Sequence, residues 1–267
     1  MIVQAGGLIW NVVEAGRGPV VLLVHGTAAS AHSWRDIIPL LSDSCHVVAI
    51  DLPGHGGTSQ RSSRDLSLEG MGAAVVALMT TMNLKPEIVV GHSAGAAILA
   101  WACAHKHFKP RSYVSFNGAF YPFAGLAGSL FSPIAKFFAI NPFVPRILSN
   151  VASRATVEKL LKDTGSTISR EGVDLYFSLY KQPQHVAAAL GMMAAWDLSG
   201  MDANFARIDA ECVFVAALND KAVPPETAIK AAARCRKAKV LHKSGFGHLL
   251  HEEDPQLAAD IIKGLTT

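Results

Sequence analysis

The chain has 267 residues, half of them apolar, which is enough for one large domain with a sizeable core. Its net charge is only +3 and the basic residues are scattered along the sequence, so no nucleic-acid-binding surface is indicated. The four cysteines lie far apart without a Cys-x-x-Cys spacing, and the amino terminus lacks the pattern of a signal peptide. We therefore expect reduced thiols and a cytoplasmic protein.

Predicted strands and helices alternate along most of the chain. The run from Val20 to Val24 is continuously apolar, as in a strand buried on both faces, and Ser67 is placed to cap an amphipathic helix. Strand patterns cover residues 8–13, 20–24, 46–50, 88–90, 113–116, 212–218 and 240–241, and helical patterns cover 34–41, 66–82, 94–104, 226–233 and 256–265. The alternation predicts an α/β fold, with a mostly parallel sheet of about eight strands and helices on both faces.

The alternation stops after residue 117, where helical patterns at 155–161, 172–180 and 186–195 follow one another without strands. We predict that residues 118–200 form a helical cap, inserted into a core of residues 1–117 and 201–267 and lying over the carboxyl ends of the strands. The predicted cap contains nearly all of residues 116–148, which form the most apolar stretch of the chain. This stretch predicts short helices and no membrane span, because it is interrupted by Pro122, Pro133, Lys136, Pro142 and Pro145.

The segment from Gly91 to Gly95 reads Gly-His-Ser-Ala-Gly and joins an apolar strand to an Ala-rich helix. This strand-turn-helix setting is typical of a nucleophile elbow, in which a serine sits on a sharp, strained turn. The residues two positions on either side of such a serine must be small, and both are glycines here. Ser93 is therefore the predicted catalytic nucleophile.

A serine nucleophile needs a histidine as its base and a carboxylate to orient that histidine. In folds with a nucleophile elbow, the acid and then the histidine follow the serine, each in a loop after a late strand. Asp220 and His248 occupy these positions and complete the predicted triad. Simpler structural or surface roles are expected for the rival residues His242, His251, Asp197, Asp202 and Asp209.

Acyl transfer also needs donors for a developing oxyanion. The backbone amide of Ala94 follows the nucleophile and is one predicted donor, and the amide of Thr27 in the early loop after Val24 is the second. Structural roles are expected for His25, His55 and His92. His105 and His107 lack a third ligand, so we expect no metal, and no cofactor is indicated.

The predicted cap is rich in bulky apolar side chains, since seven of the twelve phenylalanines fall between Phe116 and Phe143. Most of them are expected in the core of the cap, but the cap is too small to enclose them all, so several should face Ser93. The candidate pocket residues are Phe120, Phe123, Met192 and Trp196. A hydrophobic small molecule is the expected ligand, with at most peripheral contact between the cap and a membrane.

The order of these motifs resembles the α/β-hydrolase superfamily over nearly the full chain. The resemblance rests on His25-Gly26, on the segment 51–56 (DLPGHG), and on Ser93, Asp220 and His248 in that order. It implies the fold described above and acyl-transfer chemistry at the three triad residues.

Four segments are more narrowly similar to the BchO proteins of bacteriochlorophyll synthesis, which are described as magnesium-chelatase accessory proteins. They are 91–99 (GHSAGAAIL), 132–136 (SPIAK), 164–167 (TGST) and 188–198 (AALGMMAAWDL). This resemblance implies a phototrophic bacterium, a role near magnesium insertion into protoporphyrin, and magnesium-chelatase subunits as partners. It does not supply a substrate.

Three functional hypotheses follow. The first is a serine hydrolase acting on a hydrophobic ester or acyl compound through the triad. The second is a non-catalytic accessory protein that binds a porphyrin or chelatase subunits, with the triad inherited but not needed. The third is a cofactor-free lyase or perhydrolase using the same triad. The fold alone does not separate them, because one scaffold hosts many functions.

Overall fold

The computed structural model describes residues 1–122, 141 and 143–266. Within these residues the central sheet contains eight strands, in the spatial order first, second, fourth, third, fifth, sixth, seventh, eighth. The second strand is antiparallel to both of its neighbours, and all other neighbours are parallel. This sheet confirms the predicted fold class. The strands are β1 (Ile2–Ala5), β2 (Leu8–Ala15), β3 (Val20–Val24), β4 (His46–Ile50), β5 (Ile88–His92), β6 (Ser112–Phe116), β7 (Glu211–Ala217) and β8 (Ala238–Lys243).

Strand β1 was not among the predicted strands. It pairs with β2 in a hairpin whose two turn residues, Gly6 and Gly7, have φ angles of 58° and 76°. A pair of residues with positive φ is the preferred connection of a tight hairpin, and glycine adopts it without strain. The Gly-Gly pair was therefore the sequence signal for this strand.

The sheet is buried on both faces, as the apolar run of β3 predicts. Leu22 and Val24 belong to one core cluster and Val21 and Leu23 to the other, because successive side chains of a strand point to opposite faces. Helices cover both clusters. Six of them are α1 (Ile38–Ser42), α2 (Leu68–Thr81), α3 (Ala94–Ala104), α9 (Glu226–Ala232), α10 (Leu250–Glu253) and α11 (Pro255–Lys263).

Two helix predictions can be compared with the structure in detail. Ser67 accepts a hydrogen bond from the Gly70 amide and caps α2, as expected. The helix predicted over 34–41 is wrong in its extent, because the chain forms a 3-10 turn at Ala31–Trp34 and enters α1 only at Ile38. Pro39 favours the first turn of a helix, which places the start of α1 at this point.

Five helices of the described chain lie between β6 and β7. They form a succession without strands. The first four lie where the sequence predicts the cap, whereas the fifth lies in the predicted core and packs against α3. Phe123, Pro133, Lys136 and Pro142 lie outside the described residues, and the boundaries of the cap stay a prediction. The five helices are α4 (Phe143–Val151), α5 (Arg154–Asp163), α6 (Arg170–Tyr180), α7 (Pro183–Ala195) and α8 (Met201–Arg207).

Among the helices that the structure describes, none combines the length and apolar character that a membrane crossing requires. Cys45, Cys103 and Cys212 are buried free thiols, and Cys235 is a half-buried one.

The position of β3 fixes where a site can form. The chain passes from β3 to β4 on one side and later adds β5 on the other side, so strand order reverses between β3 and β5. Parallel α/β sheets bind ligands in the crevice outside the carboxyl ends of the strands at such a reversal. The loops after these two strands contain Thr27 and Ser93.

Candidate active site

Ser93 joins β5 to α3 with backbone angles that few residues adopt. Its φ is 50° and its ψ is −117°, a strained conformation of the kind found at nucleophile elbows. A β-carbon on Gly91 would lie 2.4 Å from the Ala96 amide nitrogen, and one on Gly95 would lie 2.3 Å from the Val24 carbonyl oxygen. Only glycine fits at both positions, as the motif predicts.

Asp220 and His248 meet at the carboxyl ends of β7 and β8. His248 Nδ1 lies 2.7 Å from Asp220 Oδ2, and the Asp220 side chain is almost fully buried. The other carboxylate oxygen of Asp220 accepts hydrogen bonds from the amides of Ala222 and Val223, each at 2.8 Å. Asp220 is thus held as an acceptor, which fixes the proton of His248 on Nδ1 and leaves Nε2 to act as a base.

The loop that contains His248 is held by Asn117, the last residue of the first core segment, which no sequence pattern indicated as part of the site. Its Nδ2 donates to the carbonyls of His248 at 2.8 Å and Gly247 at 3.1 Å, and its Oδ1 accepts from the Ala217 amide at 2.8 Å. The φ of Asn117 is 48°, a conformation that asparagine tolerates better than most residues. Asn117 therefore connects the end of β6 with both β7 and the histidine loop.

His92 supports the same loop from the other side. Its Nε2 is 3.0 Å from the His248 carbonyl oxygen, so this nitrogen carries the proton and donates. The His92 ring also packs against His251, with 4.3 Å between the ring centroids. Burial lowers the pKa of both His92 and His251 well below 6.5, which keeps them neutral at pH 7. His92 contacts the His248 backbone through this bond, which matches the structural role expected for it.

The loops of Ser93 and His248 are adjacent, because the bond between His92 and His248 joins them. Within the part of the chain that the structure describes, however, Ser93 Oγ makes no hydrogen bond to His248. Nucleophile–base hydrogen bonds are often long in unliganded sites and tighten when substrate is bound. The Ser93–His248 contact therefore stays a prediction, whereas the His248–Asp220 contact is present.

The loop after β3 packs directly against Ser93. A β-carbon on Gly26 would lie 3.0 Å from Ser93 Cβ, so the backbone that leads into Thr27 passes beside the serine. The Ala94 amide is at the first position of α3, where no acceptor exists within the helix. Neither the Thr27 nor the Ala94 amide donates to another described backbone group, and their role as oxyanion donors stays a prediction.

His25 holds this loop in shape. Its Nδ1 donates to the Gly26 carbonyl at 2.7 Å, and its Nε2 accepts from the Leu52 amide at 2.9 Å. Burial lowers the pKa of His25 to about 3, so the ring stays neutral. Its Nδ1 therefore remains the donor and its Nε2 the acceptor. This structural role agrees with the expectation from sequence.

Helix α7 rests on the same loops through His185, which no local sequence pattern indicated as a functional residue. His185 Nδ1 accepts from the Gly56 amide at 3.1 Å, and its Nε2 donates to the Ala28 carbonyl at 3.2 Å. On the same helix, Met192 accepts a hydrogen bond from the Thr27 hydroxyl at 3.4 Å. The helix therefore covers the loops that follow β3 and β4.

The four predicted pocket residues differ in their positions. Met192 is buried at the Thr27 loop, and Trp196 is half-buried against the core. Phe120 is fully buried and packs edge-on against Phe205 and Phe214, so its ring belongs to the aromatic core. Phe123 lies outside the described residues. A pocket-lining role for these four side chains stays a prediction.

A comparison with known families agrees with this geometry. The family model of the alpha/beta hydrolase fold matches residues 19–255. The chain belongs to the α/β-hydrolase family.

This α/β-hydrolase is 37% identical to the magnesium-chelatase 30 kDa subunit of Rhodobacter capsulatus, over 98% of this chain and 91% of that protein. That likeness confirms the resemblance to BchO-type proteins. It is also 23% identical to the uncharacterized hydrolase YugF of Bacillus subtilis, over 91% of this chain and 88% of that protein. A crystal structure of CarC, a serine hydrolase involved in carbazole degradation, shares the fold, with a TM-score of 0.80 and 21% identity over 99% of this chain and 97% of that one.

In the part of the chain that the structure describes, none of the alternative candidates for the catalytic acid or base forms a hydrogen bond with His248. Asp197 accepts from the Ser199 amide, Asp202 accepts from the Tyr121 hydroxyl, and Asp209 is exposed beside Lys106. His251 is fully buried between Trp34 and His92, and His242 is exposed. Over residues 1–122, 141 and 143–266, no group of three or more His, Cys, Asp or Glu side chains is arranged to hold a metal ion.

Proposed function

We propose that this α/β-hydrolase is a serine hydrolase that acts on a hydrophobic ester or related acyl compound. The observation that carries the proposal is the 2.7 Å contact between His248 Nδ1 and Asp220 Oδ2, formed beside a serine with strained backbone angles. A buried carboxylate that orients a histidine in this way supports general-base catalysis.

In the proposed reaction, Ser93 Oγ attacks the carbonyl carbon of the ester while its proton moves to His248 Nε2. The amides of Thr27 and Ala94 bind the oxyanion that forms, and Asp220 stabilises the imidazolium. Collapse of the tetrahedral intermediate breaks the bond to the alcohol, which leaves with the proton from His248. Water then attacks the acyl-serine through the same base and releases the carboxylic acid.

The proposed substrate is hydrophobic because α7 has apolar side chains close to the loop that contains Thr27. Met192 lies against the Thr27 loop, and Trp196 ends the same helix. A sugar or a phosphorylated compound would lose its hydration there without enough polar partners. Trp196→Ala should therefore weaken the binding of a long-chain ester more than that of a short-chain ester, which KM values for the two esters would measure.

A fluorophosphonate probe tests the nucleophile directly, because it labels a serine only when a neighbouring base activates it. Wild type should be labelled and Ser93→Ala should not. Ser33→Ala is the matched control, since Ser33 is a buried serine whose hydroxyl has no hydrogen-bond partner among the described residues. Equal labelling of wild type and Ser93→Ala would overturn the assignment of Ser93.

The relationship to a magnesium-chelatase subunit favours a second candidate function, a porphyrin-binding accessory protein for magnesium insertion. The same chelatase relationship is the reason to place the proposed hydrolase near bacteriochlorophyll synthesis. Titration with protoporphyrin, followed by quenching of tryptophan fluorescence, separates the two functions. Tight porphyrin binding together with absent probe labelling in wild type would favour the accessory function, and labelling with no porphyrin binding would favour the hydrolase.

A further inference from the structure

Positively charged residues gather at the amino ends of β5, β6, β7 and β8, the edge of the sheet opposite Ser93. Four segments that precede these parallel strands contribute them, residues 83–87, 105–111, 207–211 and 236–239. We call this surface the basic face. Its eight cations are all exposed, and they are Lys85, Lys106, Lys109, Arg111, Arg207, Arg236, Lys237 and Lys239.

The basic face differs sharply in charge from the rest of the molecule. Its four segments contain only three carboxylates, those of Glu87, Asp209 and Glu211. The whole chain has 24 basic and 21 acidic residues, so the remainder of the chain contains more acidic than basic residues. Residues that are scattered in the sequence are therefore collected on one side, because parallel strands bring their amino ends to one edge.

Contacts between the four segments make the basic face continuous. The Lys106 ammonium donates to the Arg207 carbonyl at 2.7 Å and pairs with Asp209, and Arg236 approaches the same carboxylate at 3.5 Å. Three grooves lie on the face, with volumes of about 530, 440 and 620 Å³. Lys106 and Lys109 line the first two grooves, and Asp209 lines the first and the third.

The charge of the basic face is only partly compensated. Asp209 pairs with Lys106 and Arg236, and Glu211 pairs with Lys239 at 3.0 Å. In the described part of the chain, no carboxylate pairs with Lys85, Lys109 or Lys237. The positive charges of these three lysines are therefore not compensated by a carboxylate within that part of the chain, and they attract an anionic partner.

We propose that the basic face is a docking surface for an acidic protein. The three carboxylates among its cations suit a protein partner, whose surface contains both signs of charge, and would weaken the attraction of a uniformly anionic phosphate backbone. A lipid surface fits less well, because none of the large exposed apolar residues of the described chain lies in the four segments. Grooves lined by both charged and apolar side chains suit the helices or loops of a protein.

Docking at the basic face leaves the active site open. Five-residue strands such as β5 and β6 separate the two edges of the sheet by roughly 16 Å, at about 3.3 Å per residue. A partner on the basic face therefore does not cover Ser93 or helix α7. The proposal is independent of the reaction at Ser93, and it holds whether or not the triad is used.

The test uses a fluorescein-labelled helical peptide with glutamates along one face, and a second peptide with glutamines in their place. Wild type should bind the glutamate peptide and not the glutamine peptide, and added salt should weaken the binding. The variant Lys85→Glu/Lys109→Glu should bind about tenfold more weakly. Arg64→Glu/Arg170→Glu is the control with the same change of charge, since both arginines are exposed and lie elsewhere in the fold, and it should change affinity less than twofold.

Circular dichroism of both variants shows that they are folded before binding is compared. Equal affinity of the two double variants for the glutamate peptide would overturn the proposal, because the binding would then follow net charge and not the basic face. Tighter binding of a DNA duplex, or of vesicles containing phosphatidylserine, than of the glutamate peptide would also overturn it.

Discussion

At the scale of single residues, Asp220 provides the sharpest test of the proposed chemistry. Its carboxylate accepts from two backbone amides and faces His248 Nδ1, so Asp220→Asn would preserve the packing and remove the charge. An asparagine amide facing Nδ1 would favour the wrong tautomer of His248. Ester turnover should fall by roughly 10⁴-fold while the melting temperature changes little.

The control for this prediction is Asp197→Asn, which removes an exposed carboxylate that caps a turn at Ser199. That variant should keep its turnover within about twofold, since surface substitutions have small effects. A similar loss of turnover in both variants would contradict the assignment of Asp220.

Individual residues of the site were predictable to different degrees. Ser93, Asp220 and His248 follow apolar strands in a known order, so local patterns were enough to select them as candidates. Asn117 was not predictable, because its role depends on contact with a carbonyl 131 residues away in the chain. His185 was missed for the same reason, since its partners Ala28 and Gly56 belong to loops of a distant part of the sequence.

At the scale of elements, the turn from β5 to α3 depends on close packing against β3. A methyl group on Gly95 would lie 2.3 Å from the carbonyl oxygen of Val24 and 2.4 Å from that of His25. Gly95→Ala must therefore displace the end of β3, and with it the loop that contains Thr27. The free energy of unfolding should fall by about 3 kcal/mol or more, measured by urea denaturation.

Gly200→Ala is the matched control, because no atom lies within 4 Å of the added methyl group. This variant should lose no more than about 0.5 kcal/mol. A smaller loss for Gly95→Ala than for Gly200→Ala would show that α3 does not pack against β3 in this way.

Long apolar helices were predicted well, and short elements were not. The patterns over 66–82 and 94–104 correspond to α2 and α3, because apolar runs of this length leave few alternatives. Strand β1 has only four residues, and its last residue alone is buried, so hydropathy gave little signal. The interrupted helix at 34–41 shows that one proline can move a helix start by about a turn.

At the scale of the whole molecule, Glu252 connects the predicted cap to the core and makes stability depend on pH. It accepts from the Tyr176 hydroxyl of α6 at 2.7 Å and from Arg35 at 3.2 Å. Burial raises the pKa of Glu252 from 4.5 to about 7, against the opposing effects of Tyr176 and Arg35. Between pH 4.5 and 7 the folded state keeps a proton that the unfolded state has lost, so this group lowers stability as the pH rises.

Glu252→Gln keeps an acceptor for Tyr176 and removes this titration. Relative to wild type, the variant should be more stable at pH 8 than at pH 5, by a difference on the order of 2 kcal/mol in the free energy of unfolding. Glu69→Gln, which changes an exposed carboxylate on α2, should show no such difference between the two pH values. The same pH dependence in wild type and Glu252→Gln would refute this account.

Buried histidines act in the opposite direction and outnumber Glu252. A histidine whose folded pKa is lowered binds its proton only after unfolding, so its contribution to stability is lost as the pH falls below 6.5. One glutamate cannot balance six such groups, each changing stability by about 1.4 kcal/mol per pH unit where it titrates. Burial is the largest cause of the lowered pKa in all six, which are His25, His32, His55, His92, His185 and His251.

The molecule should therefore lose stability steeply between pH 6.5 and pH 4, and its unfolding near pH 5 should take up several protons. Urea denaturation at a series of pH values gives this number from the slope of the free energy of unfolding. His251→Phe preserves a ring between Trp34 and His92 and removes one titrating group. The number of protons taken up on unfolding should therefore fall by about one, even where the substitution also changes the stability at pH 7.5. A wild-type free energy that stays constant from pH 7.5 to pH 5 would mean that these histidines are not buried in their neutral form.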